Sequence, residues 1–317
     1  MDSQAAFKIP ILFIIFNRKG VALETLMQIR KIAPTQLFLA GDGPRDNKPG
    51  EAERVAATRA AILDAIDWPC EVNTLFQETN LGCGLGVYQA INWFFERVDM
   101  GIILEDDCKP LISFFPFCEA LLQRYRDDLR IGGITGYNPS KKELINESYC
   151  FSEYVENWGW ATWRRAWQNM DMEMSWLQGP HRRSIIDNTG FLGKDHGYWE
   201  HNLKKVAGKK VSAWDIQWCF SVAAQNQLTI YPQWNLIENI GEGEEATHTA
   251  TISPFLNYKV HKELDFPLVH PPYTVPNLTF DRELFEQRNN LLAKLARFFP
   301  EDIKSAVKRN LHRFNKH

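Results

Sequence analysis

Four short apolar runs alternate with amphipathic stretches in the first half of the chain, and this alternation constrains the fold more than any other feature. The runs are Ile11 to Phe16, Gln36 to Ala40, Val72 to Phe76 and Gly101 to Leu104. Runs of this length are typical of strands buried on both faces, as in a parallel sheet. With helices between them they predict βαβ units and a doubly wound α/β fold.

Three helical patterns lie between these runs. The first stripe, from Ala22 to Ala33, ends at Pro34, and the second begins after Pro49 and continues to Ile66. The third follows the turn Asn80-Leu81-Gly82 and is the most regular. Its apolar residues recur at the spacing of a single helix face, and they are Val87, Ala90, Ile91, Phe94, Phe95 and Val98.

The 317 residues suffice for one large α/β domain or for such a domain with an appendage. We expect residues 1–137 to form one half of the domain, residues 138–281 the other half, and residues 282–317 a helical appendage. The second half is rich in tryptophan, with Trp158, Trp160, Trp163, Trp167 and Trp176 close together. Such rings either form the core of a subdomain or offer a platform for sugar rings, and both can hold for different rings.

Charge and cysteine usage exclude some classes of protein. The formal net charge of -3 argues against a general nucleic-acid-binding protein. The six cysteines show no Cys-x-x-Cys pair, so they are predicted to be reduced and mostly buried. The first apolar run is too short to span a bilayer and follows no basic segment, so we expect a cytoplasmic protein. The basic amphipathic stretch at residues 303–314 favours either peripheral contact with the inner face of a membrane or packing on its own domain.

Three consecutive carboxylates, Glu105, Asp106 and Asp107, directly follow the fourth apolar run. At ~4 Å and an effective dielectric of ~20, two like charges repel by roughly 4 kcal/mol, so such a cluster needs a cation nearby. Mg²⁺ and Mn²⁺ are usually held by one or two carboxylates together with substrate phosphates. The cluster is therefore a candidate site for a nucleotide diphosphate and a divalent metal. The alternative is a solvated acidic turn.

Polar residues also follow the first two apolar runs, as Asn17-Arg18 and Gly41-Asp42-Gly43. Open α/β sheets bind ligands beyond the carboxyl ends of their strands, so these residues should lie near the acidic cluster. A fixed guanidinium such as that of Arg18 is suited to stabilising a departing diphosphate. The alternative is an ordinary surface arginine.

Asp215, in the segment Ser212 to Trp218, is the candidate general base. A carboxylate can take the proton from an acceptor hydroxyl as its oxygen attacks, and the tryptophans around Asp215 predict partial desolvation, which suits this role. The competing interpretation makes Asp215 the N-cap of an apolar helix that continues through Phe220. One aspartate can serve both purposes.

Taken together, these residues resemble a GT-A glycosyltransferase, most closely the inverting family of the Golgi N-acetylglucosaminyltransferase that begins complex N-glycans. The similarity is strongest over residues 9–137 and returns near 158–163, 214–218 and 237–249. Its anchors are Pro10-Ile11-Leu12, Asn17-Arg18, Asp42-Gly43, Asn80-Leu81-Gly82 and the stretch from Ile102 to Asp107. The resemblance implies a GT-A type, Rossmann-like doubly wound mixed sheet, with an aromatic-rich acceptor subdomain and C-terminal helices.

In that family the acidic triplet is a variant of the Asp-x-Asp motif. Its last carboxylate, here Asp107, is implied to ligate a Mn²⁺ or Mg²⁺ ion that bridges the two phosphates of a UDP-sugar. The implied nucleotide contacts are those of Glu105 and Asp106 with the ribose and base, of Arg18 with the diphosphate, and of Asp42 with the uracil edge. Asn17 occupies the first motif position, where the relative has an acidic residue.

The resemblance extends to later segments of the chain. Many GT-A enzymes bring a late histidine to the metal or the diphosphate, which implies that role for His248, and imidazole is an acceptable Mn²⁺ ligand. A surface histidine is the alternative. The implied pocket for donor and acceptor consists of Trp158, Gly159, Trp160 and Trp214. Glycine between aromatic residues lets the backbone approach a ligand closely.

The expected function is transfer of a sugar from a nucleotide diphosphate donor to a hydroxyl of a glycan or a lipid-linked acceptor, and the resemblance implies that the transfer proceeds with inversion. The resemblance implies a UDP-sugar as the donor. One alternative is a sugar-phosphate nucleotidyltransferase, which requires a glycine-rich phosphate loop after the first strand, whereas Phe16 to Gly20 supply one glycine. Another is a non-catalytic carbohydrate-binding protein that keeps the aromatic platform.

Overall fold

A mixed sheet of eight strands organises the chain in the computed structural model, which describes residues 6–140, 142–207, 212–241 and 261–289. The strands of the described chain are β1 Ile11–Ile15, β2 Gln36–Gly41, β3 Glu71–Phe76, β4 Met100–Glu105, β5 Cys108–Pro110, β6 Ile131–Thr135, β7 Tyr149–Ser152, β8 Trp160–Trp163, β9 Leu228–Pro232 and β10 Ile237–Asn239. The large sheet has the order β3-β2-β1-β4-β8-β6-β9-β7, and β5 and β10 form a separate ribbon.

Helices connect these strands. They are α1 Lys19–Ile32, α2 Glu51–Asp64, α3 Gly82–Phe95, α4 Phe114–Arg124, α5 Arg164–Trp167, α6 Arg182–Asp187, α7 His196–Ala207, α8 Asp215–Ala224 and α9 Leu278–Asn289. Two short 3-10 helices lie at Ser175–Gln178 and Phe191–Gly193.

The helices cover both faces of the sheet, because neighbouring residues of one strand point to opposite sides. Ile11 and Phe13 of β1 pack in a core with residues of α1 and α4, such as Leu26. Leu12, which lies between them, packs in a second core with α3 and α8, including Ile91 and Trp218. The predicted Rossmann-like mixed α/β fold is confirmed. Strands β1, β2 and β4 are buried on both faces as predicted. That prediction is wrong for β3, which forms the edge of the sheet and has no buried residue.

Strands β1 to β4 match the four apolar runs to within about one residue at each end. β1 pairs in parallel with β2 and with β4, and β2 pairs in parallel with β3. The first helix ends before Pro34, and Ala33 adopts a left-handed conformation with φ 42°. The third helix begins at Gly82, one turn earlier than its apolar stripe suggested, and ends at Phe95. Val98 is nevertheless buried against the same core.

The second half of the chain adds antiparallel strands to this parallel unit. β8 lies between β4 and β6 and is antiparallel to both, with Trp160 opposite Ile103. This arrangement brings the tryptophan-rich segment into the centre of the sheet. All six cysteines are free thiols, and four of them are buried.

Several predictions concern residues outside the described ranges. His248 and residues 303–314 fall there, as does most of the predicted appendage at 282–317. Helix α9, which begins at Leu278, covers the start of that appendage. Within the ranges that the structure describes, no helix is both long and apolar enough to cross a membrane.

Candidate active site

A cleft of about 550 Å³ opens at the edge of the sheet where β1, β2 and β4 end. These strands are parallel, so their carboxyl ends meet at one edge and bring distant segments of the chain together. The start of α3 and the segment leading into α8 form two of its walls. Of the predicted site residues, the cleft is lined by Arg18, Asp42, Glu105, Asp106, Asp107, Trp158, Trp214 and Asp215.

Arg18 joins the first strand end to the acidic cluster at the fourth. Its guanidinium forms two hydrogen bonds with the Asp106 carboxylate, and its Nη2 donates to Asp107 Oδ2 at 3.0 Å. Thr25 in α1 holds the same turn by donating to the backbone oxygen of Asp106 at 2.7 Å. Burial opposes the charged guanidinium, but the Asp106 and Asp107 carboxylates outweigh it and raise the pKa of Arg18. Arg18 is therefore a fixed cation in the cleft wall.

Negative charge nevertheless exceeds positive charge at the centre of the cleft. Burial, followed by repulsion from Asp107, Asp106 and Asp215, raises the pKa of Glu105 well above the usual range of a carboxyl group. Burial also raises the pKa of Asp106 to about 6, although Arg18 opposes the shift. Crowded carboxylates with one guanidinium between them create a site that favours an additional cation. The donor set, which consists of hard carboxylate oxygens, suits Mg²⁺ or Mn²⁺.

The carboxylates do not enclose a metal ion by themselves. Among the described residues, no group of three His, Cys, Asp or Glu side chains is arranged to hold one. Mg²⁺ sites commonly have this character, because the ion keeps several waters and is bound through one or two carboxylates and substrate phosphates. The residues present therefore fit a metal that is bound together with a phosphate-bearing ligand.

Gly241 closes one side of the acidic cluster. The Ile240 backbone nitrogen donates to the Asp107 backbone oxygen at 2.9 Å, which brings the next residue against the Asp107 side chain. A Cβ atom at position 241 would lie 2.3 Å from Asp107 Oδ2 and 2.9 Å from Arg18 Nη1. Only glycine allows this approach. Gly241 therefore lies directly beside Asp107 and Arg18.

Asp42 organises the turn that precedes α3. Each of its carboxylate oxygens accepts two hydrogen bonds: Oδ1 from the backbone nitrogens of Gly43 and Leu81, and Oδ2 from the Gly82 nitrogen and the Asn80 side chain. All four distances are 2.8 or 2.9 Å. Both oxygens are therefore engaged within the protein. Contact of Asp42 with a uracil edge stays a prediction of the resemblance.

We expect Asp42→Ala to destabilise the fold by about 2–4 kcal/mol, since it leaves several backbone N–H groups of this turn without their acceptor. Urea unfolding followed by circular dichroism would measure the change. Asp42→Asn is the matched variant, because its amide keeps one acceptor oxygen and should lose less. Equal stability of Asp42→Ala and the wild type would show that water replaces the carboxylate at no cost.

Asn17 lies beside the cleft, and its side chain is hydrogen-bonded within the protein. Its amide donates to Glu51 Oε1 at 2.9 Å, and the same carboxylate accepts from the Arg45 backbone and guanidinium. Glu51 is fully buried, and its hydrogen bonds with Arg45 lower its pKa to about 2. Neither Glu51 nor Arg45 was predicted from the sequence, because the Pro-Gly-Glu start of a helix does not indicate which distant side chains the glutamate will contact. Arg45 also lines the cleft.

The aromatic residues divide between the cleft and the core. Trp158 and Trp214 line the cleft, and Trp214 stacks on Trp160 with ring centroids 5.7 Å apart. Trp160 is only 2% exposed and packs beneath the cleft against Trp167 and Trp218. Most of this tryptophan cluster is therefore packing, including Trp214, which is 4% exposed. Trp158 is half-buried and is the ring that a ligand can reach.

Gly159 is required by packing at the bottom of the cleft. It has φ +55°, and a Cβ atom there would lie 2.3 Å from Ile237 Cδ1 and 3.3 Å from Leu104 Cδ2. Both neighbours are buried core residues. This glycine therefore lets the Trp158–Trp160 segment pass close over the core, and it is not itself among the residues that line the cleft.

Asp215 lines the same cleft as the acidic triplet. It is the first residue of α8, and Trp214 occupies the N-cap position, so the N-cap interpretation is wrong by one residue. Its Oδ1 accepts from the Ile216 backbone nitrogen at 2.9 Å. Partial desolvation was expected, but the Asp215 side chain is exposed, because Trp214 and Trp218 turn inward behind it. An exposed carboxylate at this position is accessible to an incoming hydroxyl.

Cys83 and Asn157 also line the cleft and were not singled out from the sequence. Burial raises the pKa of the Cys83 thiol to about 12, and Glu105 and Asp215 add to the shift. Cys83 is therefore a neutral thiol and not a nucleophile. Asn157 directly precedes the tryptophan segment, and its position beside that segment was the one signal that could have identified it.

Comparison with known proteins adds limited similarity. No family model and no curated protein matches the chain. HddC from Yersinia pseudotuberculosis aligns over 54% of this chain and 84% of its own, with 9% sequence identity and a TM-score of 0.30. A UDP-glucose pyrophosphorylase in complex with UDP-glucose aligns over 74% of this chain and 94% of its own, with 10% identity and a TM-score of 0.37. At these values the function has to be argued from the cleft itself.

Proposed function

We propose that this protein is a metal-dependent glycosyltransferase that moves a sugar from a nucleotide diphosphate donor, a UDP-sugar, to a hydroxyl of a glycan or a lipid-linked acceptor. The observation that carries the proposal is the content of one cleft. Arg18 and three carboxylates lie at the ends of β1 and β4, and an exposed carboxylate, Asp215, lines the same cleft. Arg18 and the three carboxylates fit a metal-bound diphosphate, and Asp215 fits a general base.

The donor half of the proposal assigns the diphosphate to the centre of the cleft. Asp107, whose carboxylate lies 3.0 Å from Arg18 Nη2, would hold Mn²⁺ or Mg²⁺ together with the phosphates. The bound metal would supply charge neutralisation for the leaving diphosphate. Arg18 is already positioned and charged, so it needs little reorganisation to stabilise the same developing charge. His248 as a further ligand stays a prediction of the resemblance.

The acceptor half assigns proton removal to Asp215. Its carboxylate accepts the proton of the acceptor hydroxyl while the hydroxyl oxygen forms a bond to the anomeric carbon of the sugar. The bond between that carbon and the phosphate oxygen breaks, and the electron pair leaves with the nucleoside diphosphate. Attack from the side opposite the leaving group inverts the anomeric centre. Asp215 and the acidic triplet line the same cleft, so one bound donor can contact both.

The connection between β1 and α1 weighs against the nucleotidyltransferase alternative. Only Phe16, Asn17 and Arg18 separate the two elements, and none of them is a glycine. A glycine-rich loop that folds over a nucleoside triphosphate needs a longer and more flexible connection. The carbohydrate-binding alternative explains the aromatic rings but assigns no role to the crowded carboxylates.

The first experiment is isothermal titration calorimetry of the full chain with UDP, GDP, CDP and dTDP, each with Mn²⁺ and with EDTA. We expect UDP to bind with Mn²⁺ and to lose at least tenfold in affinity with EDTA, because the crowded carboxylates repel a free diphosphate. Metal-dependent binding of another nucleotide would change the donor class and keep the mechanism. Binding of glycans without binding of any nucleotide would favour the carbohydrate-binding protein and overturn the proposal.

A further inference from the structure

The side chain of Asn157 is buried in the wall of the cleft, and its oxygen has no partner. Asn157 is 9% exposed, and Oδ1 is shielded from solvent without a hydrogen-bond donor among the described residues. The acidic cluster that lines the same cleft consists of carboxylates, which accept hydrogen bonds when ionised and then cannot satisfy it. Buried polar atoms are paired in the large majority of cases, because an unpaired one has lost its water at a cost. An unpaired acceptor in a cleft wall indicates that a ligand supplies the donor.

Asn157 lies on a defined side of the cleft. Trp160 is opposite Ile103 in the antiparallel pair of β8 and β4, so residues just before Trp160 run beside the end of β4. Trp214 stacks on Trp160, which places the start of α8 on this side as well. Asp42 and the turn before α3 lie on the other side, at the end of β2. The acidic cluster separates the two sides.

The chemistry of the oxygen selects among the parts of a nucleotide sugar. A carboxamide oxygen only accepts hydrogen bonds, and so do phosphate oxygens at neutral pH, so the diphosphate cannot be its partner. In the proposed function the nucleoside lies on the other side of the acidic cluster, where the resemblance implies contact of Asp42 with the uracil edge. The remaining part of the donor is the sugar, which carries hydroxyl groups and, in amino sugars, an acetamido N–H.

We propose that Asn157 is a specificity residue for the transferred sugar, and that its Oδ1 accepts a hydrogen bond from a hydroxyl or acetamido N–H of that sugar. This inference rests on the proposed function, since it requires a nucleotide sugar in the cleft. It assigns to Asn157 the discrimination between an intact donor and the bare nucleoside diphosphate. A site that hydrogen-bonds a substrate group rejects analogues that lack it, because the buried acceptor is then left unpaired.

The test is calorimetry with Mn²⁺ on the wild type and on Asn157→Ala, using UDP, UDP-glucose, UDP-galactose and UDP-N-acetylglucosamine. We expect the affinity for UDP to stay within about twofold, and the affinity for the preferred UDP-sugar to fall about fivefold to tenfold, as one lost hydrogen bond predicts. Equal losses for UDP and UDP-sugar, or an unchanged preference, would overturn the inference. If the wild type shows no Mn²⁺-dependent UDP binding, the proposed function fails first, which separates the two failures.

Asn138→Ala is the matched control. Asn138 is also buried, at 4% exposure, but its Oδ1 accepts from the Ser140 nitrogen and its amide donates to the Pro232 oxygen, both at 2.8 Å. It does not line the cleft. Asn138→Ala should therefore lower the melting temperature and leave the preference for UDP-sugar over UDP unchanged. Asn157→Ala should leave the melting temperature unchanged, because its oxygen has no internal hydrogen bond to lose, and should reduce the preference for UDP-sugar over UDP.

Discussion

Asp107→Ala is expected to remove Mn²⁺-dependent binding of the nucleotide, with a loss of affinity of about 100-fold or more. The variant deletes the carboxylate proposed to hold the metal, and it leaves Arg18 with its Asp106 hydrogen bonds. Because Mg²⁺ and Mn²⁺ are held through so few protein carboxylates, loss of one removes most of the protein's share of the coordination. Residues that do not contact the metal cannot replace the missing Asp107 carboxylate as a ligand.

Calorimetry with UDP and Mn²⁺ measures this effect, and circular dichroism confirms that the variant is folded. The matched control is Glu238→Ala. Glu238 is a carboxylate on β10, which pairs with the strand that follows Asp107, but it does not line the cleft and has a lysine partner, Lys109, at 3.6 Å. It should bind UDP like the wild type. Unchanged Mn²⁺-dependent affinity in Asp107→Ala would remove Asp107 from the metal site.

Asp215→Asn should spare donor binding and reduce the rate of transfer by about 10²- to 10⁴-fold, the usual contribution of a general base. The amide keeps an oxygen for the hydrogen bond from the Ile216 nitrogen, so the start of α8 is preserved. It cannot take the proton of an acceptor hydroxyl. Loss of kcat with little change in donor affinity identifies a group that acts only in the attack step.

Transfer assays with the donor class identified by calorimetry measure the rate, and the same titration measures donor binding. Glu78→Gln is the control, because it makes the same change of acid to amide on an exposed residue near the rim that does not line the cleft. It should transfer at the wild-type rate. Normal transfer by Asp215→Asn would place the base elsewhere, whereas weakened UDP binding would mean that Asp215 contributes to the donor site.

Part of this site was predictable because its residues follow locally recognisable elements. Arg18, Asp42 and Asp107 come directly after apolar runs, and strand ends in a parallel sheet converge at one edge. Their sharing of one cleft was therefore foreseeable. The hydrogen-bond partners of each carboxylate were not foreseeable, because they come from segments that are distant in the sequence. Asp42 is held by a turn nearly forty residues away, and Glu51 by Asn17 and Arg45.

The tryptophan segment shows the limit of pattern reasoning most clearly. Its composition suggested an aromatic core or a sugar platform, and a sequence cannot state which ring faces which way in an irregular segment. The antiparallel placement of β8 between β4 and β6 decides it, because this pairing turns Trp160 into the core and leaves Trp158 at the cleft. The same placement brings Asn157 beside the acidic cluster.

Apolar periodicity is a local property, so the parallel half of the sheet, its helices and the strand ends where charged residues gather could be predicted from the residues alone. Long-range folding establishes that Asp215 shares a cleft with residues more than a hundred positions earlier, that Gly241 lies against Asp107, and that the Asn157 oxygen is buried without a partner among the described residues. Those features depend on long-range packing, in which the surroundings of one side chain are set by segments with no fixed spacing from it.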